Sequence, residues 1–361
     1  MSQAHQFFHW LPAALRLARE PDVEVTVLGA SAAGLDFIRS YDPTGSLNIR
    51  RLWVPSIRPD GLFSPPKRRL ALLSHARTIA KYPVIVTTET TSSVLYRVPG
   101  FRSRMIHLKH GAGDREGGYN PKHLHFDLTL VNGEKDKDRL IARGLANDSN
   151  CLVVGYAKFE LIPDVAPPPR TGPPLAVYNP HFDEKLSSWF RHGPSVVSVM
   201  DRISGWEFVV APHVKLRGGP KVEPQAPHVA IDRGSVRSIN MSYAEEASVY
   251  IGDISSQVYE FIRRPRPCIF LNFDGIDWAG NDNYAHWHLG QVINRPEDLA
   301  SALERAHALQ PRFEQAQREA FARSIDNSSE LASARQARAI LSLAHQTGSP
   351  LFTRSAMVAL D

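Results

Sequence analysis

Short apolar runs alternate along the chain with longer segments in which apolar side chains recur every three or four residues. Short apolar runs are typical of buried strands, and the longer period is typical of amphipathic helices. Strands are predicted, in chain order, at 23–28, 49–54, 83–88, 105–109, 128–131, 152–154, 175–178, 207–211, 229–232, 248–252 and 268–271. Because helical segments separate several of them, we predict an α/β fold with parallel sheets and crossover helices.

The first segment with a helical pattern is 5–19, in which Phe8, Leu11 and Leu15 fall on one face. We interpret it as a loop entering a helix that packs on the sheet, since a strand follows at once. A helix with Phe and Trp beside Arg is also able to lie on a membrane surface. Further helices are predicted at 33–40, 67–81, 133–144, 183–191, 194–203, 241–247, 256–264, 296–309, 311–324 and 330–345. No element is predicted after residue 345.

One segment, 163–174, fits neither a helix nor a central strand because it is rich in proline. It separates two α/β halves of similar size, which suits a length of 361 residues. We therefore predict Rossmann-like domains over 1–162 and 175–328, joined by a Pro-rich linker. A C-terminal helix and tail, 329–361, are expected to pack back on the N-terminal domain.

Composition restricts the class of protein only mildly. The chain is 43% hydrophobic and 22% charged with a net charge of +5, which suits a globular protein with an anionic substrate or a contact with an anionic membrane face. Basic residues are spread out and no nucleic-acid module is recognisable, so no nucleic-acid partner is predicted. Cys151 and Cys268 lie in apolar runs and are predicted to be buried thiols. Without a long apolar run or a signal peptide, a cytoplasmic location is expected.

Ligands of open α/β sheets bind beyond the carboxyl ends of the strands. The strand 248–252 ends in Gly-Asp and is followed by two serines and a helix. Asp253 or Ser255 can cap that helix, and the hydroxyls of Ser255 and Ser256 with the free N–H groups make a candidate phosphate site. Glu260 is a candidate acceptor for ribose hydroxyls. The alternative interpretation is an ordinary capped helix.

A histidine, His110, directly follows the strand 105–109, and four glycines lie within the next eight residues. Glycine lets the backbone turn sharply and lets a ligand approach closely, as at Gly111. His110 is a candidate general base and Arg115 a candidate anion contact. The alternative is a glycine-rich turn with an exposed histidine.

Polar side chains follow two further strands in the second half. Asn179 and His181 come after 175–178, and His213, Lys215 and Arg217 come after 207–211; all five are candidate binding residues, and His213 is also a candidate catalytic residue. An imidazole beside two cations suits a pyrophosphate-like anion.

Other polar clusters are assigned no chemistry. The Asp136-Lys-Asp138 run has the form of a metal-dependent glycosyltransferase motif but is predicted to be the solvated face of a helix. The segment 278–288 contains His, Asp and Asn, yet no spacing matches a zinc site, so a polar loop is predicted. No metal site is expected.

The order of these segments resembles that of the CDP-glycerol glycerophosphotransferases. The similarity covers about 100–310 and rests on His110-Gly111, 154–158, 178–180, the His213 segment, 252–261, 264–270 and the helix start at 294–299. The N-terminal third is similar only to a generic GT-B domain. The family continues its His-Gly with Thr-Pro-x-Lys, whereas Ala-Gly-Asp-Arg follows here, and His213 lacks the family's following proline.

The resemblance implies a GT-B fold with two facing Rossmann-like domains, the acceptor on the N-terminal one and the nucleotide donor on the C-terminal one. It implies a transferase that builds teichoic-acid-like or capsular polymers from CDP-activated polyol phosphates at the cytoplasmic face of the membrane, without a required metal centre. The expected partners are a CDP- or UDP-activated donor and a glycan or glycolipid acceptor, and no cofactor is expected. His110 matches the acceptor-activating base, His213 matches a histidine at the donor phosphate, and Ser255 and Ser256 match hydroxyls at the same phosphate.

Three alternatives stay open. The first is a nucleotide-sugar glycosyltransferase of capsule or lipid-glycan synthesis, and the second is an isomerase similar to UDP-GlcNAc 2-epimerases. The third is a binding protein that keeps the nucleotide site without its chemistry.

Overall fold

The computed structural model describes residues 4–54, 68–162 and 170–346, together with the backbone of a strand at Ser355–Leu360. The chain forms two compact units. Unit 1 comprises Met1–His110, Tyr119–Asp164 and Ile325–Asp361, and unit 2 comprises Gly111–Gly118 and Val165–Ser324. The expected division at the Pro-rich segment therefore coincides with a unit boundary, while the short loop after His110 belongs with unit 2.

The described residues contain thirteen strands. They are β1 (Val23–Gly29), β2 (Asn48–Arg51), β3 (Val84–Thr87), β4 (Arg104–Leu108), β5 (Leu128–Val131), β6 (Cys151–Val153), β7 (Leu175–Asn179), β8 (Glu207–Val210), β9 (Val229–Ile231), β10 (Val249–Gly252), β11 (Cys268–Leu271), β12 (Gln291–Ile293) and β13 (Ser355–Leu360). All eleven predicted strands are present, and β12 and β13 are additional.

The same residues contain eleven α-helices. They are α1 (Ala4–Leu17), α2 (Ala32–Arg39), α3 (Arg68–Ser74), α4 (Ala76–Ile79), α5 (Glu134–Ala142), α6 (Ser188–Met200), α7 (Ser242–Glu246), α8 (Gln257–Phe261), α9 (Leu299–Leu309), α10 (Glu314–Ser324) and α11 (Ala332–His345). None of the helices in these ranges is long and apolar enough to cross a membrane.

Unit 1 is built on a seven-stranded parallel sheet in the order β2-β1-β13-β3-β4-β5-β6. Strands β3 and β5 are buried along their whole length, as expected for parallel strands covered on both faces. Because β3 and β4 are neighbours, the residues that follow them come together at one edge of the sheet. That edge carries Thr88, Glu89 and His110.

Helix α1 is a core helix of unit 1. Its apolar side chains Phe7, Phe8, Trp10 and Leu11 are all buried, which confirms a helix packed on the sheet rather than one laid on a membrane. Its start differs from the prediction, since the first residues of the segment are helical rather than a loop.

The chain end was predicted to carry no element after residue 345, and this is wrong. Strand β13 lies between β1 and β3 and pairs with both in parallel. Helix α11 precedes it in unit 1, where Ser333 Oγ accepts from Arg16 Nε at 3.3 Å and Ser333 N donates to Glu160 Oε1 at 2.7 Å.

Unit 2 contains a six-stranded parallel sheet in the order β12-β11-β10-β7-β8-β9. Its core includes Tyr178 and Phe208 from the strands and Trp189 and Met200 from α6. The two helices predicted at 183–191 and 194–203 are one helix, α6, with Pro194 inside it. Burial of residues on both sides of the proline in one core explains why the helix continues.

The order of strands in unit 2 places β10, β7 and β8 side by side. Their carboxyl ends therefore meet at one edge, and this edge carries the candidate residues that follow each strand. The predicted α/β class with two parallel sheets is confirmed.

Candidate functional site

At the carboxyl edge of the unit 2 sheet, the carboxylate of Asp253 holds two neighbouring segments. It accepts from His181 N at 2.9 Å, from Ser188 N at 2.8 Å and from Ser188 Oγ at 2.9 Å, and also from Ile254 N at 2.6 Å. Asp253 is only 3% exposed, and burial raises its pKa while these hydrogen bonds oppose the rise. Of the two residues named as possible caps of the following helix, Asp253 does not cap it: its carboxylate anchors the loop after β7 and the start of α6.

The helix after β10 is short. α8 starts at Gln257, its N-cap residue is Ser256, and the Ser256 side chain makes no capping hydrogen bond. Ser255 Oγ accepts from Gln257 N at 3.4 Å, and both Ser255 and Glu260 are buried. Of the two serines, Ser256 is the more exposed.

The glycine-rich loop after β4 packs directly on Ser256. A Cβ atom at Gly111 would lie 3.1 Å from Ser256 Oγ, and one at Gly113 would lie 2.8 Å from Ser256 Cβ. Gly111 also has a φ of +69°, which favours glycine. Gly111 and Gly113 therefore allow a close approach of the loop to the serine segment, whereas the approach expected from the sequence was that of a ligand.

Two cations and two imidazoles surround the ring of Phe182. The ring centroids of His181 and His213 lie 4.2 Å and 4.8 Å from that of Phe182. Arg115 Cζ and Lys215 Nζ lie 5.3 Å and 5.6 Å from the same centroid. We call these five residues the cationic cluster.

His181 is the most buried imidazole of the cationic cluster, and its environment disfavours a positive charge. Burial has the largest effect and the charges of Arg115 and Lys215 add to it, which together lower the pKa of His181 to about 3. Its Nδ1 accepts from Asp183 N at 3.1 Å, so the neutral ring carries its proton on Nε2. His213 has the same arrangement, with Nδ1 accepting from Lys215 N at 3.1 Å. The cluster is electropositive and presents N–H donors, which suits an anionic ligand.

Two other predicted binding residues are engaged by the protein itself. Asn179 is buried, and its Nδ2 donates to Ala211 O at 2.6 Å, which ties the ends of β7 and β8 together. Arg217 is exposed, and its Nη1 donates to the carbonyls of Val214 at 2.8 Å and Leu216 at 2.9 Å.

The segment predicted as a polar loop, 278–288, is partly core, which corrects that interpretation. His286 and Trp287 are buried and both bind the carbonyl of Asp253, at 2.8 Å from His286 Nε2 and 2.6 Å from Trp287 Nε1. His286 Nδ1 lies 3.0 Å from Asp114 Oδ2, which also accepts from Tyr259 OH at 2.7 Å. Asp114, Tyr259 and His286 were not predicted as site residues.

In unit 1, His110 is held in one tautomer. Its Nδ1 lies 2.9 Å from the Thr88 carbonyl, which only accepts, so Nδ1 carries the proton and Nε2 bears the lone pair. The side-chain amide of Gln6 lies 2.8 Å from that Nε2 and donates a second hydrogen bond to Glu89 Oε1 at 2.7 Å. His110 therefore has the protonation state that a general base needs.

Helix α1 also brings His9 close to His110, with 6.1 Å between the ring centroids. Burial, then Lys158 and then His110, lower the pKa of His9 well below its usual value. Sequence reasoning missed Gln6, His9 and Glu89, and the signal available was a glutamine and a histidine three residues apart on a largely apolar helix.

The interpretation of the Asp136-Lys-Asp138 run as a solvated face is wrong for its first carboxylate. Asp136 is 0% exposed, and its Oδ1 accepts from Lys109 Nζ at 2.6 Å and from Tyr119 OH at 2.5 Å. Asp138 is exposed, as predicted. Within the described ranges, no group of three or more His, Cys, Asp or Glu side chains is arranged to hold a metal ion.

These two Rossmann-like units with parallel sheets have the GT-B type of fold, as the resemblance implied. No family model and no curated protein matches the chain. Among solved structures, a variant of the wall teichoic acid polymerase TagF soaked with CDPG is 14% identical with a TM-score of 0.61, covering 95% of this chain and 94% of that one.

Two further structures are similar to the same extent. MnaA of S. aureus, solved with UDP, is 11% identical with a TM-score of 0.64 over 96% of each chain. A putative UDP-N-acetylglucosamine 2-epimerase from Listeria monocytogenes is 13% identical with a TM-score of 0.60, covering 96% of this chain and 95% of that one. At these identities the likeness establishes the fold alone.

Proposed function

We propose that the protein is a transferase whose donor is activated by a nucleoside diphosphate, with a CDP-glycerol-like polyol phosphate as the favoured donor. The acceptor is a cell-surface glycan or glycolipid, modified or extended at the cytoplasmic face of the membrane. The proposed reaction needs no metal ion or other cofactor, since side chains stabilise the leaving phosphate.

The observation that carries the proposal is the cationic cluster of unit 2. Arg115 and Lys215 flank Phe182, and burial together with these two cations lowers the pKa of His181. A diphosphate carries the opposite charge and several acceptor oxygens, which fit the guanidinium, ammonium and imidazole N–H groups. Ser255 and Ser256 follow the adjacent strand and supply hydroxyls for the same phosphates.

The proposed chemistry assigns the base to unit 1. Nε2 of His110 takes the proton of an acceptor hydroxyl as its oxygen attacks the donor, and the bond to the nucleotide oxygen breaks. With a polyol-phosphate donor, the attack falls on the phosphorus next to the polyol and the nucleoside monophosphate leaves. With a sugar donor, the attack falls on the anomeric carbon and the nucleoside diphosphate leaves. His213 and Lys215 stabilise the charge of either leaving group.

General-base catalysis by His110 is expected to contribute about 10²–10⁴-fold to the rate. The acceptor hydroxyl must take the place of the Gln6 amide, which occupies Nε2 at 2.8 Å. Binding of the acceptor therefore involves a local exchange of hydrogen bonds at His110.

The test is incubation with CDP-glycerol, CDP-ribitol and UDP-, GDP- and CMP-sugars, with and without glycan and glycolipid acceptors, followed by identification of the released nucleotide. Acceptor-dependent release of CMP from CDP-glycerol supports the favoured donor. Replacement of His110 by Ala should abolish turnover and leave nucleotide affinity largely unchanged, as measured by calorimetry. A fully active His110→Ala variant would show that the base is assigned wrongly.

A second candidate function is an isomerase of nucleotide sugars. The observation that favours it is the equal structural likeness to a putative UDP-N-acetylglucosamine 2-epimerase. This function predicts formation of an epimer from a UDP-sugar without any acceptor, which NMR of the same incubations detects. Thermal stabilisation by nucleotides without either reaction would indicate a binding protein.

A further inference from the structure

A buried acid–histidine pair lies beside the cationic cluster. The ring of His286 is 2% exposed, and its two nitrogens face Asp114 Oδ2 at 3.0 Å and the Asp253 carbonyl at 2.8 Å. Asp114 is buried as well, and Tyr259 OH donates to the same carboxylate oxygen at 2.7 Å. None of these three side chains has a role in the proposed chemistry.

The ring of His286 lies between two acceptors, the Asp114 carboxyl group and the Asp253 carbonyl, so it donates to one of them in either neutral tautomer and to both when protonated. Burying polar groups is costly unless each is hydrogen-bonded. Here the carbonyl and the Tyr259 hydroxyl complete the hydrogen bonds of the pair.

The pair fixes the loop that carries Arg115. Asp114 precedes Arg115 and is held by His286, while Glu116 follows it and its N–H donates to Asn283 Oδ1 at 2.8 Å. The backbone of Arg115 is thus anchored on both sides to the segment 282–289. Its guanidinium lies 5.3 Å from the Phe182 ring centroid.

We propose that Asp114 and His286 are positioning residues that hold Arg115 in the cationic cluster for contact with the anionic donor. The inference rests on the proposed function, in which Arg115 contacts the donor phosphates. Asp114 and His286 act through Arg115 and do not touch the ligand themselves.

The experiment is a double-variant cycle with Asp114→Asn and Arg115→Ala, with CDP, UDP and inorganic pyrophosphate as calorimetric probes. Loss of a charge-assisted contact through Arg115→Ala should weaken CDP or UDP binding roughly 10- to 100-fold. Asp114→Asn should cause most of that loss, and the double variant should bind no more weakly than Arg115→Ala alone. His286→Gln should behave like Asp114→Asn.

A matched control separates positioning from general loss of stability. Glu245 is a buried carboxylate of unit 2 paired with Arg264, so Glu245→Gln removes a similar charge away from the cluster. It should lower the melting temperature and leave nucleotide affinity unchanged.

The outcomes are distinguishable. If Arg115→Ala leaves nucleotide and pyrophosphate affinity unchanged, the anion contact and with it the proposed function fail. If Arg115→Ala weakens binding but Asp114→Asn does not, or if the two losses add fully, the positioning inference is wrong and the anion site stands.

Discussion

The pH dependence of stability measures how strongly burial, together with the neighbouring cations of the cationic cluster, disfavours protonation of His181. Burial, Arg115 and Lys215 lower the pKa of His181 to about 3 in the folded protein. An unfolded histidine titrates near pH 6.5. Between about pH 6.5 and pH 3 the unfolded chain therefore binds a proton that the folded chain does not, and stability falls as pH falls through this window.

The size of the effect follows from the two pKa values. Between pH 7.5 and pH 5.0 an unfolded His181 changes from largely neutral to almost fully protonated, while the folded ring stays neutral. Linkage gives a loss of about 2 kcal/mol from this residue alone. The substitution His181→Asn removes the titration and keeps an oxygen where Nδ1 accepts from Asp183 N.

The assay is urea denaturation at pH 7.5 and pH 5.0, followed by tryptophan fluorescence. The wild-type protein should lose about 2 kcal/mol more than His181→Asn between the two pH values. Lys215→Gln should reduce the loss, because it removes one of the charges that lower the pKa. The exposed His288 supplies the control, since His288→Asn should retain the wild-type pH dependence. Identical pH dependence in wild type and His181→Asn would refute a buried neutral imidazole in a positive field.

Two further substitutions test hydrogen-bonded networks in different units. Asp253→Ala should lower the free energy of unfolding by about 4 kcal/mol or more in urea denaturation. The reason is that several buried donors, including the N–H and hydroxyl of Ser188, lose their acceptor. A loss below about 1 kcal/mol would contradict the anchoring role. Gln6→Ala should increase acceptor-independent release of nucleotide, because water can then donate to Nε2 of His110. A loss of activity as large as that of His110→Ala would show instead that Gln6 is needed for catalysis.

Much of the fold was predictable because parallel strands buried on both faces are short apolar runs in the sequence. Strand β3 and strand β5 are such runs, and both lie where they were predicted. Strand β13 was missed because its position between β1 and β3 depends on pairing with strands more than 260 residues earlier. Two helices were predicted where α6 is a single helix, and the packing of its residues in one core on both sides of Pro194 explains its continuity.

The candidate site was predictable where single residues follow strands. His110, His181 and His213 were selected as candidates in this way, since the carboxyl end of a parallel strand can be located from the apolar run that precedes it. Their partners were not found, because Gln6 is 104 positions from His110 and His286 is 172 positions from Asp114.

The prediction that Asp136 lies on a solvated helix face failed for the same reason, because its partner is distant in the sequence. Asp136 and Lys137 stand together in a charged helical run, and nothing local shows which of them faces the sheet. The buried partner of Asp136 is Lys109, at the end of β4, which donates to it at 2.6 Å. A carboxylate in a charged helical segment can therefore be buried when the end of a neighbouring strand supplies a cation to pair with it, as Lys109 does for Asp136.

The segment after β10 was predicted to bind phosphate through the N-terminal end of its helix. The structure indicates that this helix end contributes little positive charge. α8 has only five residues, so its aligned peptide dipoles are few, and Asp253 is committed to the loop after β7 and to the start of α6. The positive charges in unit 2 that suit a diphosphate belong instead to Arg115 and Lys215, which together with burial lower the pKa of His181. Removing those two charges should therefore weaken nucleotide binding more than removing the hydroxyl of Ser256, whose contribution is a neutral hydrogen bond.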